Sequence, residues 1–235
     1  MLLLQHRGGI YMDMDFLANT ELFYGIAAAE LPVLLERLHA RQLGFCKDEI
    51  LCPAGQPIHE IGLVLQGELY IQHEDVWGGR TLLDRITPGQ LYGEVYACIG
   101  NEPSLVSVAA AADSRVLLLN PTHLLHQNAQ NEAAQEILLR NLIRGIAGKN
   151  LNLSRRALYT AHRSIRGRVL AYLSDQALLH KSATFLIPFD RQQLADYLGV
   201  DRSALSAELG KLQREGLLTT HREAFRLTPP LMPKG

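Results

Sequence analysis

Three polar side chains, Arg202, Ser203 and Ser206, have the types and spacing that hydrogen bonding to DNA base edges requires. An arginine fork can bind the O6 and N7 atoms of one guanine, a contact worth about 1–3 kcal/mol of discrimination, and serine hydroxyls bind several base edges. If a helix begins at Arg202, all three side chains project from its first turns, the part of a recognition helix that enters the major groove. The sequence therefore predicts base contacts from these residues, with Arg202 on a guanine.

The surrounding segment, Asp190 to Leu209, has the pattern of a helix-turn-helix that would hold these side chains. Two short helices crossing at a tight turn need a small residue where they touch and a residue that tolerates positive φ, which Ala195 and Gly199 supply. Asp190 and Asp201 stand where each helix would begin and can cap it. Buried aliphatic residues are expected at Leu194, Leu198, Val200, Leu205 and Leu209.

The residues after this motif indicate that it is of the winged form. Gly216–Thr220 and Phe225–Thr228 are typical of two short strands joined by a turn. Basic and polar side chains around the motif are suited to DNA phosphates, which position a protein without reading sequence. The predicted phosphate contacts are Arg191, Gln192, Lys211, His221 and Arg222.

The charge is divided unevenly along the 235 residues, although the whole chain has a net charge of only −1. Residues 1–154 hold 10 Lys and Arg against 17 Asp and Glu, whereas residues 155–235 hold 13 against 7. An acidic front of −7 and a basic tail of +6 indicate two domains with different partners, the second suited to double-stranded DNA.

Before the helix-turn-helix, the spacing of apolar residues changes from a helical pattern to short strand-like runs. Leu31, Leu34, Leu35 and Leu38 have helical spacing within residues 20–40. Short aliphatic runs separated by glycine turns then predict an antiparallel β-roll of jelly-roll type, and hence an α+β fold. The runs are Glu49–Cys52, Ile61–Leu65, Leu69–Gln72, Thr81–Ile86 and one long apolar segment, Leu105–Leu119. Further along the chain, after the long helix described below, we predict a second helix, Ser164–Leu179, and a loop, Lys181–Thr184.

Helical periodicity returns after Pro121 in a heptad pattern. Leu139, Ile143, Ile146, Asn150 and Leu153 are spaced by 4, 3, 4 and 3 residues. We interpret this stripe as the seam of a homodimer, with Asn150 setting the register. The alternative is a helix packed on its own domain, and Gly145 and Gly148 weaken the helix by about 1 kcal/mol each relative to alanine.

Neither membrane insertion nor a disulfide framework is expected. No run reaches the roughly 18 apolar residues of a bilayer-spanning helix, and Leu2–Leu4 is too short for a signal peptide. Cys46, Cys52 and Cys98 are an odd number at irregular spacing, which favours a reducing compartment. The predicted location is the cytoplasm, with no membrane contact.

The order of β-roll, long helix and winged helix-turn-helix resembles the Crp/Fnr family of bacterial transcription regulators. The matching motifs are Pro53–Gln56, Leu65–Tyr70, Pro88–Glu94 and Asp190–Leu212. The resemblance implies a non-enzymatic homodimer that senses an effector in the roll and binds a palindromic operator, with RNA polymerase as a further partner. It also implies a sensor at residues 1–120, a dimerisation helix at 121–154 and a DNA-binding domain at 155–235.

The same resemblance places the effector beside Tyr92, Gly93, Glu94 and Ser104. In relatives that bind a cyclic nucleotide, an Arg-Ser or Arg-Thr pair holds the phosphate, but the corresponding residues here are Ser104 and Leu105. The chain has no Lys or Arg between Arg85 and Arg115, so a buried cyclic phosphate would lack a counter-charge, at a cost of several kcal/mol. We therefore predict an effector other than cyclic AMP or cyclic GMP, with a cyclic-nucleotide-responsive regulator as the alternative.

Other effector chemistries are less well supported by the residues. Three separated cysteines cannot supply the four ligands of an iron–sulfur cluster. His123 and His126 could share a helix face toward haem or a metal ion, although such a pair more often lies on a plain helix surface. A thiol switch at Cys46, Cys52 or Cys98 competes with simple packing of small side chains. The remaining class of effector is a small organic ligand, which the sequence does not identify. We assign no metal or other cofactor.

Two further functions stay open on sequence grounds. A cupin-like metal enzyme needs a close His-x-His pair, whereas His59 and His73 lie 14 residues apart. A ligand-binding module without DNA contact would leave the basic tail unexplained. Within the family pattern, many relatives carry another arginine where this chain has Ala207, so we expect a base contact to be missing and the operator to differ.

Overall fold

The computed structural model describes residues 12–75, 77–125 and 132–228. The chain forms two compact units, and the boundary between them, Ala147/Gly148, falls inside one helix. Within the described residues, no helix is both long and apolar enough to cross a membrane.

The first unit contains a roll made of two four-stranded antiparallel sheets. The strand order is β1-β8-β3-β6 in one sheet and β2-β7-β4-β5 in the other. Side chains such as Val64, Leu69, Val108 and Val116 alternate inward and form a core cluster in the roll. The strands are β1 (Arg41–Phe45), β2 (Ile50–Cys52), β3 (Ile61–Gln66), β4 (Leu69–Glu74), β5 (Arg80–Ile86), β6 (Leu91–Tyr92), β7 (Ser107–Ala110) and β8 (Ser114–Leu119).

Helices flank this roll and share a second core cluster with it. Leu138 and Leu142 of the long helix are almost fully buried there beside Leu31 and Leu34. The side chain of Asn141 donates hydrogen bonds to the carbonyls of Leu22 and Tyr24, at 3.0 and 2.8 Å. The helices are α1 (Met14–Ala18), α2 (Leu31–Arg37), α3 (Glu94–Ile99), α4 (Pro121–Leu125) and the long α5 (Glu132–Thr160).

The second unit continues from the last turns of α5. Its helices and its three-stranded sheet, in the order β10-β11-β9, enclose a core that includes Val169, Leu194, Leu205 and Phe225. The elements are α6 (Ile165–His180), β9 (Thr184–Leu186), α7 (Arg191–Leu198), α8 (Arg202–Arg214), β10 (Leu218–His221) and β11 (Ala224–Leu227).

The predicted fold class is confirmed, while several element boundaries differ. The long apolar segment Leu105–Leu119 is two strands, because Ser114 turns the chain by donating to the carbonyl of Ala112 at 2.7 Å. Strand β1 was not predicted, since only some of its residues are apolar and it lacks a glycine-bounded run. Helix α5 continues past residue 154, and Ser164 caps α6 through the backbone N–H of Gly167.

Candidate nucleic-acid interface

Helix α7 begins and ends as the sequence predicts. The Asp190 carboxylate accepts from the N–H of Gln193 at 2.8 Å, and the Gln193 side chain accepts from the N–H of Asp190 at 2.9 Å, which forms a capping box. Gly199 ends the helix at φ 62, a left-handed conformation that favours glycine. Ala195 is fully buried. The local signals therefore fix both ends of the first helix.

The second helix, α8, begins at Arg202 with Asp201 as its N-cap. The Asp201 carboxylate accepts from the N–H groups of Ser203 and Ala204, at 2.8 and 3.0 Å, and from the Ser203 hydroxyl. These hydrogen bonds, that of the Ser203 hydroxyl first, lower the pKa of Asp201. In this geometry the Ser203 hydroxyl donates its hydrogen bond to the Asp201 carboxylate, so it can meet a base only as an acceptor.

Arg202 and Ser206 are exposed on the same helix. Among the described residues, the Arg202 guanidinium has no hydrogen bond or ion pair, so all its donors are available to a ligand. The Gln192 amide, in contrast, donates to the Asp196 carboxylate at 2.8 Å. Arg202 is therefore exposed with its donors available, which a base contact requires, and the contact itself stays a prediction.

The predicted phosphate contacts have different surroundings. The exposed Lys211 ammonium lies 3.5 Å from an oxygen of Glu208, whose side chain is largely buried and also lies 3.8 Å from Arg166. Arg191 is half-buried: its guanidinium donates to the Thr220 hydroxyl at 2.7 Å and lies 5.1 Å from the centroid of the Phe225 ring. Burial lowers the pKa of Arg191. Part of its donor capacity therefore joins α7 to the wing, a role that its sequence position alone does not reveal.

The wing is a hairpin with a two-residue turn. His221 pairs with Ala224, and Arg222 and Glu223 form the turn between them. His221, Arg222 and Glu223 are exposed. Arg222 adopts φ 53, a left-handed conformation that costs a non-glycine residue roughly 1–2 kcal/mol. The turn therefore holds a guanidinium at the exposed tip of the wing.

In the first unit, three of the predicted effector residues, Tyr92, Gly93 and Glu94, lie at the start of α3. Gly93 caps this helix at φ 73, and a Cβ there would lie 2.9 Å from Cγ2 of Ile58, so only glycine fits. Glu94 is 4% exposed. Tyr92 belongs to the roll core, because its ring fills the space that a Cβ on Gly62 would occupy. Tyr92 therefore packs in the roll core, and its place beside an effector stays a prediction.

The loop that would meet a phosphate is closed by the protein's own groups. The N–H of Leu105 donates to the Tyr96 hydroxyl at 3.2 Å, and the N–H of Val106 donates to Oγ of Ser104 at 3.2 Å. The N–H of Ser104 donates to the carbonyl of Gln56 at 3.0 Å. Ser104 itself is 1% exposed, and its hydroxyl donates to the carbonyl of Val106. Three consecutive amides are thus already satisfied.

The alternative effector groups do not assemble into a site among the described residues. No cluster of three or more His, Cys, Asp or Glu side chains there could hold a metal ion. His123 stacks on His39 with ring centroids 4.2 Å apart, and His126 lies outside the described residues. Burial raises the pKa of the Cys52 thiol to about 11, so this group stays a thiol at neutral pH. Partial burial of the thiol also raises the pKa of Cys98, although Cys98, like Cys46, is an exposed residue.

The predicted seam residues of α5 divide into two groups. Leu139 and Ile146 are half-buried and pack against the core of the first unit. Ile143 and Leu153 are exposed, by 58% and 65%, and Asn150 is exposed as well. One flank of the stripe therefore packs on the domain's own core, as in the alternative interpretation, and the remainder faces solvent. The homodimer seam stays a prediction.

Comparisons with known proteins agree with this architecture. The family model for the cyclic nucleotide-binding domain matches residues 42–131, and that for the Crp-like helix-turn-helix domain matches residues 167–230. No protein in a search of curated proteins matches this sequence.

Two solved structures show the shared fold. CprK in complex with OCPA is 15% identical, with a TM-score of 0.58 over 84% of this chain and 90% of that one. The c-di-GMP responsive global regulator CLP of Xanthomonas campestris is 20% identical, with a TM-score of 0.50 over 86% and 99%. At these identities, the likeness shows the fold.

A cyclic nucleotide-binding roll and a winged helix-turn-helix on one chain define a DNA-binding transcription regulator. The chain belongs to the Crp/Fnr family.

Proposed function

We propose that this protein is a homodimeric transcription regulator that binds a palindromic operator through α8. The observation that carries the proposal is the exposed Arg202 guanidinium, free of partners among the described residues, on a helix capped by Asp201. It lies in residues 155–235, whose net charge is +6. Arg202 and Ser206 read bases, with Ser203 as an acceptor, while Gln192, Lys211, His221, Arg222 and the remaining donors of Arg191 meet phosphates.

The exposed part of the α5 stripe supports dimerisation. Ile143, Leu151 and Leu158 each expose half or more of their side chain, and their spacings of 8 and 7 residues keep them on one helix face. An apolar stripe of this kind is typical of a helix that packs on a second helix. A C2 dimer places two copies of α8 in related positions, which matches a palindrome with half-sites about one helical turn apart.

The closed loop at Leu105 supports an effector other than a cyclic nucleotide. An anion there would have to displace the Tyr96 and Ser104 hydroxyls from the amides, and no arginine is near in sequence to neutralise it. The fold itself does not fix the effector, since CprK is described with OCPA and CLP as responsive to c-di-GMP. The effector of this protein is therefore a small molecule that does not rely on this loop for phosphate binding.

We also propose where in the cell this protein acts and with which partner. A regulator of bacterial genes works in the cytoplasm and acts on RNA polymerase, and its action is binding rather than catalysis. We assign sensing to residues 1–120, dimerisation to 121–154 and DNA binding to 155–235.

Selection of duplexes from a random DNA pool by the full-length protein, followed by gel shifts at several salt concentrations, tests the function. We expect the selected sequences to be palindromic and their affinity to fall steeply with salt, as phosphate contacts require. Failure to enrich any sequence at low salt would contradict the proposal and favour a ligand-binding module without DNA contact.

A further inference from the structure

The carboxyl end of α7 receives hydrogen bonds from two arginines outside the helix-turn-helix. The last carbonyls of a helix lack partners within the helix, and they carry the negative end of its dipole. Here Arg156, from the last turns of α5, and Arg168, from α6, donate to the carbonyls of four consecutive residues. Those residues are Asp196, Tyr197, Leu198 and Gly199.

Arg156 makes a two-point contact with this end of α7. Its Nε donates to the carbonyl of Tyr197 at 2.9 Å, and its Nη2 donates to the carbonyl of Asp196 at 3.0 Å. The guanidinium also lies 5.8 Å from the centroid of the Tyr197 ring. A planar fork held at two atoms fixes direction as well as distance, which a lysine cannot do.

Arg168 holds the turn from the other side. Its Nη1 donates to the carbonyls of Leu198 and Gly199, at 3.0 and 2.8 Å, and its Nε donates to the carbonyl of His162 at 2.9 Å. His162 lies in the connection between α5 and α6. One side chain therefore joins that connection to the turn that leads into α8.

Both arginines act within the second unit, to which α5 belongs from Gly148 onward. On this part of α5, Leu151 and Leu158 are exposed, and in a regular helix Leu158 is two residues and about 200° away from Arg156. The same helix thus presents an apolar face to solvent and, on its opposite side, a fork to α7.

We propose that Arg156 and Arg168 are positioning residues that hold α8 at one angle to the α5 seam, and thereby set the half-site spacing that the dimer accepts. The inference rests on the proposed function, since it needs a dimer joined along α5. Moving a half-site by one base pair displaces it by about 3.4 Å and rotates it by about 34° around the DNA axis. A dimer with rigidly held α8 helices discriminates against such a shift, whereas loosely held helices follow it.

The test uses the operator selected by the wild-type protein, with the spacer between half-sites lengthened or shortened by one base pair, and a duplex with a single half-site. We expect wild type to lose about tenfold or more in affinity on either spacer change, a loss of about 1.4 kcal/mol. Arg156→Ala should lose less than about threefold, yet bind the single half-site within about twofold of wild type. Arg156→Lys should recover only part of the discrimination.

Arg155→Ala is the matched control, because among the described residues the Arg155 guanidinium has no hydrogen bond, and it should discriminate as wild type does. Unchanged spacer discrimination in Arg156→Ala would overturn the inference, and so would an equal loss on the palindrome and the single half-site, which is the signature of general damage. If Arg156→Ala melts below the assay temperature, the same spacer and single half-site measurements are made with Arg156→Lys and Arg168→Lys, and the same outcomes support or overturn the inference. Absence of any wild-type DNA binding would instead overturn the proposed function.

Discussion

The hydroxyl of Tyr96 accepts a hydrogen bond from the backbone N–H of Leu105, and this contact closes the loop at which a cyclic phosphate would bind. The donor and acceptor belong to residues nine positions apart, on either side of the turn at Gly100. An amide already bonded within the protein gains little from an incoming phosphate oxygen, because the internal bond must first be broken.

We therefore expect no binding of cyclic AMP or cyclic GMP in calorimetry with the full-length protein. Tyr96→Phe removes the acceptor and should lower the free energy of unfolding by about 0.5–1.5 kcal/mol without creating nucleotide binding, since no positive charge is gained. Micromolar binding of either nucleotide to wild type would contradict this expectation.

Replacing Arg202 and Lys211 separately should distinguish a base contact from a phosphate contact. Arg202→Ala should weaken binding to the selected operator by about 1–3 kcal/mol and affect random DNA much less. Lys211→Ala should weaken both about equally and reduce the salt dependence, because it removes charge without removing sequence information. Gel shifts with both duplexes measure the difference, and an opposite pattern would remove Arg202 from its assigned role.

A charge placed on the exposed stripe of α5 should separate the proposed dimer. Ile143→Asp puts a carboxylate where an apolar contact is proposed, so light scattering should report the mass of a single chain. Asn152→Asp is the control, since it adds the same charge at an exposed position on the opposite side of the helix and should leave the mass unchanged. Equal masses for wild type and Ile143→Asp would place the interface elsewhere.

The N-cap of α8 should give the second unit a dependence on acidic pH. The lowered pKa of Asp201 means that the folded state favours its charged form, so the resulting stabilisation is full above the ordinary aspartate pKa and is lost as pH falls through the lowered one. Asp201→Asn cannot titrate there. The difference in melting temperature between wild type and Asp201→Asn should be largest near neutral pH and shrink at strongly acidic pH; a constant difference would show that the carboxylate charge is not responsible.

Local signals allowed most of the helix-turn-helix to be predicted from sequence. Asp190, Gly199 and Asp201 act on neighbouring backbone groups, so their roles can be deduced from adjacent residues. The contacts of Arg156 and Arg168 span about 40 and 30 residues, and nothing nearby in the sequence signals them. For the same reason, the burial of Tyr92 against Gly62 and the link between Arg191 and Thr220 required the structure.

The heptad period of the apolar stripe on α5 could not show what each of its residues packs against. A heptad indicates that one side of a helix is covered, but Leu139 and Ile146 contact the protein's own core whereas Ile143 does not. Which of these partners a leucine or isoleucine meets depends on where α1 and α2 pack, and that information lies more than a hundred residues earlier in the chain.

The two units have core clusters with no shared residue: those of the first end at Leu142, and that of the second begins at Tyr159. Synthesis proceeds from the amino terminus at roughly 5–20 residues per second, so translation of the part from Gly148 onward takes several seconds. The roll can therefore finish folding while its chain is still attached to the ribosome, before the helix-turn-helix has been made. A newly made molecule would thus have a folded cyclic nucleotide-binding domain before its helix-turn-helix domain is available to DNA.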